Sequence, residues 1–159
     1  MRAFIVGTSH VGEAILRFAA VILFAVMIVT VSYEVVMRYV FGAPTFWSEE
    51  LARTSMIWLV MLGFALGIRH QANIRVDFLL EAFPTWAQRA AAWARFACVA
   101  AFAIVLLVHG WQLASSNMRQ TMPGLGIGVF WLYLSVPVSA VAMLLFTAEL
   151  ILKGERGAF

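Results

Sequence analysis

Charge is scarce in this chain: Asp, Glu, Lys and Arg make up 12% of its 159 residues, whereas 64% are hydrophobic. A soluble domain of that composition would lack the polar surface to cover its core, so an ordinary soluble fold is excluded. Cysteine is nearly absent too. Cys98 stands alone, which rules out an intramolecular disulfide, and its place in an apolar run predicts a buried structural thiol. His10, His70 and His109 are scattered over a tail, a loop and a helix, without the spacing of a metal set. No Walker motif or catalytic triad pattern accompanies them. These absences argue against an enzyme, a metal site or a resident cofactor.

What the chain does have is hydrophobic length. Residues 18–33, 54–68, 96–118 and 120–148 contain no Asp, Glu, Lys or Arg. A helix needs about 20 residues to cross the roughly 30 Å hydrocarbon core, so the two longer runs suffice alone. The shorter two suffice if Glu34 and Arg38 extend the first helix and Ser48 to Arg53 opens the second. The expectation is an all-α integral membrane protein with four transmembrane helices, spanning about 14–40, 48–69, 90–118 and 129–152, as one membrane domain. The first apolar run begins after Glu13 and Arg17 and is too long for a signal peptide, so it is expected to remain as a helix.

Four spans divide the charges unevenly. Arg2, Arg17, Arg69, Arg75, Arg89, Arg95, Lys153 and Arg156 fall on one side, and Arg38, Arg53 and Arg119 on the other. The positive-inside rule then predicts that both termini and the connection after Arg69 are cytoplasmic. The net charge of +3 follows from this bias and calls for no nucleic acid. Tyr39, Trp47, Trp131 and Tyr133 flank the outer connections and Trp86 the inner one, as interfacial aromatic rings do.

The connections carry their own signals. Between the inner ends, residues 74–89 mix Ile74, Val76, Phe78 and Leu79 with Arg75, Asp77 and Glu81, a pattern for a segment lying in the interface plane. Arg75, Asp77 and Arg89 are candidate cytoplasmic interfacial anchors in contact with membrane lipid. Pro84 suits the start of the next helix. On the outer side, Met122-Pro123-Gly124-Leu125-Gly126-Ile127-Gly128 marks a tight loop, with a helix expected from about Val129. Pro137 predicts a kink, relieved by the hydroxyl of Ser135 or Ser139.

Several polar residues are candidates for a role. Ser48 is expected to cap the second helix, with Glu49 and Glu50 at the positive end of its dipole and Arg53 within one turn of both acids. This cluster reads equally as a helix start or as a docking site. Gly63 and Gly67 form a small-xxx-small pair that would admit another helix. Glu34 and Arg38 are one turn apart and are expected to pair as a structural anchor, a reading that competes with a proton or cation site at Glu34. Glu149 and Lys153 share one helix face. His109 is expected to join Gln112 and Ser116 in an interhelical seam or to face the outer interface. A four-helix small-solute exporter and a haem-carrying or quinone-linked membrane anchor are the alternative functions.

The order of motifs narrows the choice. Arg38-Tyr39-Val40-Phe41-Gly42, then Trp47-Ser48-Glu49-Glu50-Leu51-Ala52-Arg53, then Asn73-Ile74-Arg75-Val76-Asp77, then Met122-Pro123-Gly124-Leu125-Gly126-Ile127 with Trp131-Leu132-Tyr133 and Pro137 run in succession. The series resembles the small membrane subunit of tripartite ATP-independent periplasmic (TRAP) transporters over residues 34–145. Asn73 and Phe130 depart mildly from the family's frequent His and Trp. The resemblance implies a scaffold subunit beside a large elevator-type permease, with a periplasmic binding protein that delivers organic acids. It also implies an ion gradient, typically sodium, as the energy source.

Overall fold

The computed structural model describes residues 2–70 and 85–153, all helices and connections. The helices are α1 (Arg2–Tyr39), α2 (Phe46–Arg69), α3 (Thr85–Ser116), the single turn α4 (Phe130–Tyr133) and α5 (Ser135–Lys153). Four helical stretches, Gly12–Tyr39, Phe46–Arg69, Trp86–Ser116 and Phe130–Ile151, are long and apolar enough to cross a membrane. Arg75 and Asp77 lie outside the described residues, as does the side chain of Arg89, whose backbone belongs to α3.

The helices form an open slab in the order α1, α2, α5, α3. α1 packs along α2, α2 along α5, and α5 along α3, with a smaller contact between α1 and α5. Burial follows that order: half of the apolar window of α5 is enclosed, against 6% for α1 and for α3. Each flanking helix packs on one side and presents an apolar face outward, including Phe18, Phe24 and Val29 on α1 and Trp93, Phe102 and Trp111 on α3. Cys98 is exposed on α3, not buried as expected. A helix at the flank of a slab has little interior to offer it.

Small residues set the core. Ala65, Ala103, Ala142, Met143 and Phe146 are buried together, with Leu16, Ile68, Leu106 and Leu144 packed around them. With little hydrophobic drive between helices in lipid, close backbone approach is what gains dispersion energy, and alanine permits it. The closest glycine approach is at Gly110 of α3. A Cβ there would come within 2.7 Å of Val136 Cγ1 and 3.2 Å of the Pro137 ring. At Gly63 and Gly67 a Cβ would meet nothing within 4 Å, so among the described residues no helix packs on that pair.

The break in the last span lies at Leu134, between α4 and α5, three residues before Pro137. Proline removes the N–H that would reach Tyr133 O. The Ser135 and Ser139 hydroxyls do not replace it: they donate to Leu132 O (2.8 Å) and Val136 O (2.9 Å). Both side chains are fully buried, and the backbone carbonyls satisfy them where no water reaches.

Candidate functional site

α2 begins one turn earlier than Ser48 would allow as its cap. Thr45 is the N-cap residue, with φ −110° and ψ 116°, and it makes no side-chain cap bond. Ser48 instead sits in the first turn, where its hydroxyl donates to Thr45 O (2.8 Å) and lies 2.6 Å from Thr45 Oγ1. Ser48 is fully buried, and this self-contained pairing fixes the turn that carries the two acids.

Glu49 and Glu50 part company from there. Glu49 pairs with Arg53 across one turn at 2.7 Å, and both side chains are more than half exposed. Glu50 lies off that ion pair: its Oε2 accepts from the backbone amides of Gly124 (2.9 Å) and Leu125 (3.0 Å). The expected three-residue cluster is thus a pair and a clasp. Arg53 is four residues from Glu49, the better helical spacing, and Glu50 is turned toward the loop of residues 121–128.

The loop is shaped to meet that carboxylate. Thr121 and Gly128 form an antiparallel bridge, and Met122 N donates to Ile127 O (2.8 Å) while Gly126 N donates to Met122 O (2.8 Å). Gly126 turns the chain at φ +68°, a conformation that glycine adopts without steric cost. Gly124 rests on α2 so closely that a Cβ would lie 2.9 Å from Trp47 Cα. Further along the same α2 face, Thr54 Oγ1 donates to Glu50 O (2.8 Å) and lies 3.8 Å from Met122 Sδ. Trp58 Nε1 donates to Trp131 O at 3.0 Å. Glu50, Thr54 and Trp58, spaced by four, therefore bind this loop and the start of the last span to α2. Trp47 also reaches α1, with its ring 5.4 Å from that of Tyr33.

Glu34 and Arg38 of α1 form a direct Oε1–Nη2 ion pair, with Glu34 largely covered and Arg38 about half exposed. Thr30 donates to Val26 O in its own helix and stays out of the pair. His109 Nδ1 lies 3.2 Å from Gln112 Oε1 within α3, and Ser116 donates to Gln112 O. Among the described residues this polar group is local to one helix, and His109 is exposed, so of the two readings the one with the ring outside a seam of this chain fits.

The opposite end of the slab holds a larger ionic knot. Arg69, at the end of α2, places Nε 2.7 Å from Glu13 Oε2 of α1 and Nη1 3.0 Å from Glu149 Oε2 of α5. Its side chain is 8% exposed and that of Glu149 is 3% exposed, so this is a buried bridge across three helices. The guanidinium also lies over the Phe146 ring, 5.1 Å from its centre. Arg17 and His70 complete the knot, each on Glu13 Oε1 at 2.7 Å and 3.1 Å. Sequence spacing pointed Glu149 toward Lys153, whose side chain lies outside the described residues. The available signal was that Glu13, Arg69 and Glu149 each bound an apolar run at the same end.

Residues 27–157 match the family model described as the DctQ component of tripartite ATP-independent periplasmic transporters. A TRAP transporter small permease protein of Haemophilus influenzae is 28% identical over 127 residues, 80% of this chain and 77% of its own length. The sialic acid TRAP transporter small permease protein SiaQ of Vibrio cholerae is 27% identical over 121 residues, 76% of this chain and 70% of its own. The sialic acid TRAP transporter permease protein SiaT of Haemophilus influenzae is 28% identical over 120 residues, which are 70% of this chain but only 18% of that one. The chain belongs to the DctQ family of tripartite ATP-independent periplasmic transporters and is a small permease subunit of the bacterial inner membrane.

Proposed function

We propose that this chain braces the large elevator-type permease of its transporter and helps dock a periplasmic binding protein, in ion-gradient-driven import of organic acids. The observation that carries the bracing role is the placement of charge. Acidic and basic side chains gather at the two ends of the slab, and residues 18–33, 54–68, 96–118 and 120–148 between them have none. A subunit that carried an ion or an organic acid would need polar groups at mid-membrane. The long apolar faces of α1 and α3 suit contact with another membrane protein and with lipid. The alignment with SiaT, in which the matching segment is a small part of a much longer permease, supports a large membrane partner.

Docking is assigned to the end that holds Glu49, Glu50 and Arg53. Under the arginine bias that end is periplasmic, with both termini and the connection after Arg69 in the cytoplasm. The Glu49–Arg53 pair is exposed there and available to a soluble partner. The test has two parts: co-purification of the large subunit with tagged chain, and uptake at limiting binding protein. Glu49→Ala and Arg53→Ala are expected to keep normal membrane levels and co-purification while lowering uptake. Unchanged uptake with normal levels would remove the docking role and leave these residues as a helix start.

A further inference from the structure

Glu13, Ala14, Arg17, Phe18 and Val21 line an open groove of about 460 Å³ on the inner end of α1. Their spacing puts them on one helix face, and the groove changes character along it. Glu13 and Arg17 stand at its mouth, while Phe18 and Val21 continue it as exposed hydrocarbon, 68% and 62% accessible. Glu13 is already engaged, with Oε1 on Arg17 and His70 and Oε2 on Arg69. Arg17 is not. Its side chain is 61% exposed, and Nη2 alone meets Glu13 (2.7 Å) and His70 Nε2 (3.2 Å).

Among the described residues, the Nε and Nη1 groups of Arg17 have no hydrogen-bond partner, so three of the five guanidinium N–H donors remain open. Arg17 is the last charged residue before the uncharged run of residues 18–33, which places it at headgroup depth. Charge favours an anion at this end. The outer side carries Glu34, Glu49 and Glu50 against Arg38, Arg53 and Arg119, so by chain order the net charge of +3 resides on the inner side.

We propose that this groove holds an anionic phospholipid, with its phosphodiester accepting from an open N–H of the Arg17 guanidinium and an acyl chain along Phe18 and Val21. An N–H of a guanidinium makes a charge-assisted bond to a phosphate oxygen, and a basic side chain near a bilayer surface attracts anionic headgroups. A soluble phosphate would satisfy the guanidinium but leave the hydrocarbon wall bare. Both halves of the groove are used only by a lipid.

The test uses the chain in complex with its large subunit in detergent, with retained lipid read by native mass spectrometry. The complex is expected to keep phosphatidylglycerol in preference to phosphatidylcholine. Arg17→Ala is expected to lower the retained phosphatidylglycerol about five-fold, the effect of one basic side chain at the surface. Arg119→Ala, at the outer end, is expected to leave it unchanged. Undiminished retention in Arg17→Ala would overturn the site. Displacement of the lipid by glycerol 3-phosphate at equal concentration would overturn it in favour of a free anion. Should Arg17→Ala fail to assemble, the unaltered complex decides: phosphatidylglycerol with a photoactivatable acyl chain must label the peptide containing residues 14–21, and labelling confined elsewhere refutes the proposal.

Discussion

Glu50 Oε2 accepts hydrogen bonds from two consecutive backbone amides, Gly124 at 2.9 Å and Leu125 at 3.0 Å, across 74 and 75 residues of sequence. One carboxylate thereby closes the outer loop onto the first turn of α2 and joins the second span to the fourth. Charge-assisted bonds of this kind are stronger than neutral ones, and half-burial shields them from screening.

Glu50→Ala leaves two loop amides without their acceptor, and the expected cost is about 2 to 3 kcal/mol. The complex in detergent should lose roughly 5 °C or more in its unfolding midpoint. Glu50→Gln keeps one acceptor oxygen and should fall between the two. Gly124→Ala should cost a similar amount to Glu50→Ala, because the added methyl meets Trp47 Cα and N at 2.9 Å. Glu49→Ala breaks an exposed pair and should cost at most about 1 kcal/mol. Equal midpoints for Glu49→Ala and Glu50→Ala would contradict the clasp.

Arg69 serves two buried or nearly buried carboxylates, so Arg69→Met should destabilise the subunit by about 3 to 5 kcal/mol. Glu149 would then lose the Arg69 cation, and Glu13 would keep only Arg17 and His70. The triple change Glu13→Met, Arg69→Met and Glu149→Leu removes every member of the bridge and should recover much of the loss. Thermal unfolding of the three proteins separates these outcomes. A triple variant no better than Arg69→Met would show that the charges do more than compensate one another.

At the outer end of α1, Glu34→Gln and Arg38→Gln should each lower the yield of complex with the large subunit, by about 1 kcal/mol equivalent, and the double change should lower it less than their sum. Sodium dependence of uptake should be the same in all three. A Glu34→Gln protein with full complex yield and altered sodium stoichiometry would move Glu34 from anchor to transport mechanism.

Orientation can be checked with single cysteines in a Cys98→Ser background. Gly124 leaves no room for a side chain, so Ile127, exposed in the same loop, is the better position. Ile127→Cys should react with impermeant reagent from the periplasm, and a cysteine in place of His70 from the cytoplasm. Reaction of Ile127→Cys only from the cytoplasm would invert the topology.

The solvent and the helix content were legible in the sequence, because a hydrocarbon core forces long uncharged runs into helices. The polar contacts were legible only where they stay within one turn, as for Glu34 with Arg38 and Glu49 with Arg53. Glu50 and Arg69 were misread or missed because their partners lie on other elements, and local spacing always offers a nearer candidate. Within the described chain the close glycine approach falls at Gly110, where facing residues Val136 and Pro137 decide it and spacing along α3 gives no sign of it. Packing order, α1 to α2 to α5 to α3, supplies what spacing along the chain lacks.

The most direct measurement is reconstitution into proteoliposomes with an ion gradient and loaded binding protein outside. Three preparations are compared: this chain alone, the large subunit alone and the two together. Uptake is expected from the pair, none from this chain, and little from the large subunit without its brace. Uptake by this chain alone, or full uptake by the large subunit without it, would contradict the scaffold role.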